Sequence, residues 1–331
     1  MMTVSRFRIL VIKLSAFGDL LHAIPIVHRL AEHYDCPIDW VTQPEYVELV
    51  KLHQDVGRVI AFPRKGALKK SGAFLRELRK ERYDLVIDLQ GLAKSGMVLG
   101  LARADRKIAC AVTREGAQFF ANEQPPYTGG THAMEILQDT LRYLAIDPDP
   151  AVYPMNWPEV ATIEGASPKI GFAPRSRWPG KDWPLEKFIE LGKRLVEERG
   201  ASIHVFGSPA DEDIGQNLVD GIGDQATSHC GRYSLPELGS ALQQMDVLIS
   251  NDSGPMHLAA AVGTPLIALF GPTDPAQTGP WGEGHTVLRP EPGPKGFPDH
   301  RDYKHLDNEF ISRITVEEVV IHTASSLSED C

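Results

Sequence analysis

The stretch Ser250-Asn251-Asp252-Ser253-Gly254-Pro255-Met256-His257 gathers a carboxylate, hydroxyls and an imidazole between two apolar runs. Val247-Leu248-Ile249 precedes it and Leu258-Ala259-Ala260-Ala261-Val262 follows it. A strand that turns on small residues into a helix leaves backbone N–H groups unpaired at the helix start, where an anion can sit. With Asp252, Ser253, Gly254 and His257 on that turn, a sugar-nucleotide diphosphate suits it better than a bare phosphate. Another such turn, Gly271-Pro272-Thr273-Asp274, closes the next apolar run.

Further strand-end segments carry groups of the same kind. In Lys13-Leu14-Ser15-Ala16-Phe17-Gly18-Asp19-Leu20-Leu21-His22, the small residues allow close approach to a ligand and Asp19 opens a helix. Asp at a helix start is commonly an N-cap, contributing about 1 kcal/mol; the other reading is a general base. The segment from Phe172 to Pro184 holds Arg175, Arg177 and Lys181 with Ser176 and Gly180. Arg as a fork and Lys as a point charge both fit a diphosphate, whereas the plainer reading is a solvated loop. Trp183 reads as structural, its indole stapling the helix after Pro184. Asp211, in Phe206-Gly207-Ser208-Pro209-Ala210-Asp211-Glu212-Asp213, ends a second strand, where Rossmann-like units hold ribose hydroxyls. Glu212 and Asp213 read instead as charges favourable to a helix N-terminus. Asp88-Leu89-Gln90-Gly91-Leu92-Ala93-Lys94-Ser95 is one more strand-end turn. Arg64, Lys65, Lys69 and Lys70 form a basic cluster; such a run is most often a solvated face, but on the rim of a site it could receive an anionic acceptor. His257 alone reads as a helix histidine, and Asp252 beside it favours a role at the site.

These turns need elements to place them. The chain has 331 residues, 42% hydrophobic and 24% charged, enough for two globular domains. A net charge of -10 argues against a general nucleic-acid binder, which needs a basic face. Cys36, Cys110, Cys230 and Cys331 are widely spaced without a C-x-x-C pair, which fits a reduced, cytosolic protein without structural zinc. Lys13 interrupts the first apolar run, leaving it too short for a signal-peptide core, and no stretch approaches the roughly 20 apolar residues that span a bilayer. Apolar runs at 8–12, 38–41, 59–61, 85–88, 107–109, 169–173, 202–206, 247–250 and 266–270 alternate with helical patterns at 20–34, 44–52, 72–82, 185–199, 210–221, 234–245, 256–262 and 314–327. This alternation predicts parallel sheets flanked by helices. It restarts near residue 168, after a proline-rich stretch over 147–168 that reads as a linker. The expected fold is α/β, with two Rossmann-like domains facing across a cleft, one over 1–155 and one over 165–312, and a closing helix and tail over 313–331. The stretch 290–305, rich in Pro, Gly and charge, reads as a loop.

The segment from Lys13 to Pro25 resembles the N-terminus of the lipopolysaccharide heptosyltransferases, glycosyltransferase family nine. Asp88 to Ser95 resembles the heptosyltransferase I branch, and the turns at 251–257 and 271–275 complete a pattern that runs over about 8–290. The resemblance implies a GT-B fold and inverting, metal-independent transfer from ADP-L-glycero-D-manno-heptose to the Kdo/heptose inner core, with no cofactor. It makes Asp19 the general base. Lys181 and Ser176 would hold the donor phosphates, with Ser253, Gly254 and His257 completing the cradle. Asp252 would contact the heptose, Asp211 the ribose, and Tyr233 would pack near the adenine. Ser15, Gly18, Gln90, Arg64 and Lys65 fall on the acceptor side. Partners would be the ADP-sugar donor and an anionic Kdo–lipid A acceptor, with no nucleic acid; location would be cytoplasmic, with peripheral contact to the inner membrane. Alternatives are transfer to a protein or other glycan, a sugar-nucleotide epimerase or hydrolase, and an inactive binding module. The epimerase needs acid/base groups on both sugar faces, and only Asp19 is evident.

Overall fold

The computed structural model describes residues 7–63, 67–292, 297 and 306–328. The chain forms two compact units, Met1–Asn156 and Trp157–Cys331. In the first, β1 (Ile9–Ile12), α1 (Phe17–Tyr34), β2 (Ile38–Thr42), α2 (Val47–Val50), β3 (Val56–Ala61), α3 (Ala67–Leu78), β4 (Tyr83–Asp88), α4 (Ala93–Leu101), β5 (Ala104–Ile108) and α5 (Ala133–Tyr143) follow one another. The strands pair in parallel in the order β3-β2-β1-β4-β5. The central strand β1 is apolar and buried along its whole length, as expected of a strand covered on both faces. Ile9 stands level with Ile38 on one side and Leu85 on the other.

The second unit contains β6 (Lys169–Ala173), α6 (Leu185–Arg199), β7 (Ser202–Val205), α7 (Glu212–Ile222), β8 (Ala226–Ser228), α8 (Leu235–Leu242), β9 (Val247–Asn251), α9 (Gly254–Val262), β10 (Leu266–Leu269), α10 (Pro275–Thr278), β11 (His285–Leu288) and α11 (Val316–Ser328). Its order is β11-β10-β9-β6-β7-β8, again all parallel. Trp183 is a core residue: 1% exposed, edge-on to Phe188, with Nε1–H donating to the Ile314 carbonyl at 3.1 Å. Val319 and Val320 of α11 join the same core.

Several elements differ from the sequence expectation for physical reasons. No expectation covered α5, although Met134, Leu137 and Leu141 form a helical i, i+3, i+7 stripe; Gln138, Asp139 and Thr140 are buried beside that stripe. The strands β8 and β11 carry polar residues and are only partly buried, so neither gives an apolar run. The single helix expected over 44–52 is a 3-10 turn, Pro44–Tyr46, followed by the one-turn α2. The stretch expected as linker is strapped to the second unit. Ser240 Oγ donates to the Pro158 carbonyl, Ile163 N–H donates to Gln244 Oε1 at 2.7 Å, and the Trp157 ring lies where a Cβ on Gly239 would stand. Of the loop expected at 290–305, residues 293–296 and 298–305 lie outside the described residues.

Candidate active site

In both sheets the strand order reverses beside the strand that starts the unit: the chain winds outward from β1 one way and resumes at β4, and likewise from β6 and at β9. Ligands of such folds sit outside the carboxyl ends of the strands at these points. The six polar strand-end segments fall close to there, after β1, β4, β6, β7, β9 and β10.

In the first unit, α1 starts directly after the β1 turn, and the Asp19 carboxylate closes its first turn: Oδ2 accepts the Ala16 N–H at 2.9 Å. The capping reading is therefore realised, and it uses one oxygen. Oδ1 has no hydrogen bond among the described residues, and Asp19 lines a cavity of about 250 Å³ with Lys13, His22, Gln90, Cys110 and Arg114. Gln90 braces the β1 turn, its Oε1 accepting from the N–H groups of Leu14 and Ser15, both at 3.1 Å. Its amide nitrogen is what remains for a ligand. Gly91 sits at φ 71°, and a Cβ there would come within 2.5 Å of the Val112 carbonyl oxygen, so this turn requires glycine. Asp88, fully buried, holds the turn by accepting from Gln90 and Gly91 N–H and from Ser95 Oγ; burial raises its pKa, and those donors hold the rise back. Burial likewise raises the Cys110 thiol, which makes it a poor nucleophile there.

Two charged residues of this cavity, Lys13 and Arg114, had no role in the sequence reading. Lys13 is 5% exposed, with Nζ donating to the Leu89 carbonyl at 2.9 Å; a cation ending an apolar strand was the available signal. Arg114 stands outside every motif. Ser15 and Gly18 lie on the same turn and first helical residues as Asp19. Arg64 and Lys65 lie outside the described residues.

In the second unit, Lys181 Nζ meets Asp252 Oδ2 at 2.6 Å, both side chains largely buried. Thr273 Oγ donates to the same oxygen at 2.6 Å, a contact no sequence spacing announced. The loop after β6 is fixed by Asp182, which accepts from Arg175 at 2.5 Å and from Ser176 N–H at 2.7 Å. Burial raises its pKa against these two donors. Asn251 ties β9 to this loop, donating from Nδ2 to the Pro174 carbonyl and accepting from Trp183 N–H. The Ser176 hydroxyl is engaged within its own turn, donating to the Trp178 carbonyl and accepting from its N–H; binding a phosphate would require it to turn outward. Ser253 is the N-cap of α9 and makes no side-chain cap bond, and Gly254 and His257 lie in that helix's first turn.

Asp211 is half committed. Its Oδ2 accepts from Ser208 N–H and Oγ at 2.9 and 2.6 Å, and Oδ1 stands 3.8 Å from Arg175 Nε. Tyr233 lies 5.8 Å from His229 at 29°, and His229 stacks on Phe206 at 5.3 Å and 19°. His229 and His204 approach at 3.2 Å, and burial lowers both imidazoles to about 4, so they are neutral at pH 7. The result is an uncharged aromatic platform next to the loop that carries Asp211.

Two parallel-sheet α/β units with polar turns at their carboxyl ends are the GT-B architecture of nucleotide-sugar glycosyltransferases. The profile described as glycosyltransferase family 9 (heptosyltransferase) matches residues 71–297. Lipopolysaccharide heptosyltransferase 1 of Pseudomonas aeruginosa is 30% identical over 305 residues, covering 85% of this chain and 83% of that protein. Lipopolysaccharide heptosyltransferase 2 of Escherichia coli K12 is 27% identical, covering 85% and 88%. Among solved structures, E. coli heptosyltransferase WaaC with ADP superposes with a TM-score of 0.82 at 26% identity, covering 97% of this chain and 100% of that one. The chain belongs to glycosyltransferase family 9.

Proposed function

We propose that this glycosyltransferase moves heptose from ADP-L-glycero-D-manno-heptose to the Kdo/heptose inner core of lipopolysaccharide, with inversion and without a metal ion. The observation that carries the reading is the Lys181–Asp252 pair at 2.6 Å beside the start of α9. In this reading it joins an ammonium for a diphosphate, from the loop after β6, to a carboxylate for sugar hydroxyls, from the turn after β9. In this reading Asp19 Oδ1 takes the proton of the acceptor hydroxyl as its oxygen attacks the anomeric carbon. The new C–O bond forms on the face opposite the breaking C–O–phosphate bond, and ADP leaves with that electron pair. Lys181, the α9 N-terminus and His257 stabilise the departing diphosphate, charge stabilisation by fixed donors of the kind an oxyanion hole supplies. Asp211 holds the ribose and the face of Tyr233 the adenine. Ser15, Gly18 and the Gln90 amide meet the acceptor, and Arg64 and Lys65 attract its anionic groups. The names of the relatives, which are lipopolysaccharide heptosyltransferases, support the choice of donor and acceptor. The protein then works in the cytoplasm, at the inner face of the membrane that carries its acceptor.

The test incubates the protein with ADP-heptose and de-acylated Kdo–lipid A in EDTA, following ADP release and the anomeric configuration of the product. Release at the rate seen with added magnesium, and an inverted linkage, are expected. No ADP release with any Kdo acceptor overturns the proposal, and dependence on an added metal overturns its metal-free form.

A further inference from the structure

We propose that the surface formed by α4 and the Ala117–Phe120 turn docks the protein onto an anionic lipid bilayer. Phe119 is 83% exposed, more than any other large apolar side chain among the described residues, and Phe120 beside it is 39% exposed. Phe120 is seated on α4: a Cβ on either Gly96 or Gly100 would stand 2.9 Å from its ring. Met97 and Leu101 each follow one of those glycines and form the adjoining stripe of the helix, 47% and 48% exposed. Four large apolar side chains thus share one solvent-facing surface, which in a water-soluble domain marks an interaction site.

The surrounding charge selects the partner. Lys94, exposed, opens α4, and exposed Arg114 lies just ahead of the Phe119 turn. At the other end of the helix, Lys107 Nζ donates to the Gly100 carbonyl at 2.8 Å and Arg103 reaches the Arg79 carbonyl. Of the nearby carboxylates, Glu123 is paired with Arg106 and Asp105 with Arg82, and Glu115 accepts from Ala93 N–H. An apolar centre with cations at both ends, on a chain whose net charge is -10, is complementary to anionic headgroups over acyl chains. Arg114 also lines the Asp19 cavity, so this surface is continuous with the proposed acceptor side. The choice of a lipid rests on that reading, but the binding itself is measured without donor or acceptor.

Flotation of the full chain with phosphatidylglycerol-containing vesicles, against pure phosphatidylcholine, gives the test. Binding to the anionic vesicles that weakens with salt is expected. Phe119→Asp should lower the partition at least tenfold, and Arg103→Glu about fivefold or more. Turnover of de-acylated acceptor and the melting temperature of Phe119→Asp should match the parent. Equal flotation of parent and Phe119→Asp, or none by the parent, overturns the proposal. So does a parent dimer, detected by light scattering, that Phe119→Asp converts to monomer without a change in flotation, since a second copy then covers the surface. Flotation with no turnover leaves the docking surface standing and removes the transferase reading instead.

Discussion

Under the proposed mechanism Asp19 does two jobs with two oxygens, and substitution can separate them. Asparagine keeps an oxygen to accept the Ala16 N–H but cannot take a proton. Asp19→Asn should hold its melting temperature and lose about 10²–10⁴ in kcat with donor affinity kept. Asp19→Ala should lose the same activity and, with its cap gone, about 1 kcal/mol of stability. Steady-state kinetics, ADP titration and thermal melts on the two variants decide it; an active Asn variant would leave Asp19 as a cap only. Side chains at strand ends were legible as candidates because the turn that follows a buried run is visible in the sequence. Their partners were not. Lys13 finds Leu89 across 76 positions and Lys181 finds Asp252 across 71, and neither pairing leaves a local period.

At the scale of elements, β7 and the turn after β8 bring His204 and His229 together in a buried pair. Folding opposes their protonation, lowering both to about 4 from 6.5. The unfolded chain therefore binds more protons between those values. Stability is complete above about pH 6.5 and declines as pH falls toward 4, by an amount on the order of a few kcal/mol. Urea midpoints at pH 7 and about pH 5 should show the fall, and His204→Gln should flatten it. An unchanged slope in the variant would assign the effect to other groups. The strands and most helices were readable because parallel strands buried on both faces give unbroken apolar runs. The helix α5 was legible too, in the i, i+3, i+7 stripe of Met134, Leu137 and Leu141, but not that it also buries Gln138, Asp139 and Thr140, since polarity there does not mark the solvent face.

For the whole molecule, each unit carries its own sheet and core, and the proposal gives each a separate ligand. Hydrogen exchange with saturating ADP should protect amides in the turns over 174–182, 207–211 and 252–257, which belong to the unit Trp157–Cys331. Protection concentrated instead around Lys13 to Asp19 would reverse the assignment of donor and acceptor. The two-unit α/β plan was legible from the restart of the strand–helix alternation near residue 168. The fastening of residues 157–163 to α8 was not, because it runs through single hydrogen bonds and one indole face.

Under the proposed function the pair between Lys181 and Asp252 has a kinetic meaning as well. A lone ammonium would grip ADP hardest after transfer, when the product carries the full charge of the broken bond. With a carboxylate already serving as its counter-ion, Lys181 gives up one anionic partner to take another, so the gain on binding product is small and little salt is displaced. Asp252→Asn should accordingly bind ADP more tightly by calorimetry, with an affinity that falls more steeply as potassium chloride is raised. Its turnover should become limited by departure of ADP, visible as a burst in the first cycle. Under the proposed function the carboxylate would thereby act as the release spring of the donor site.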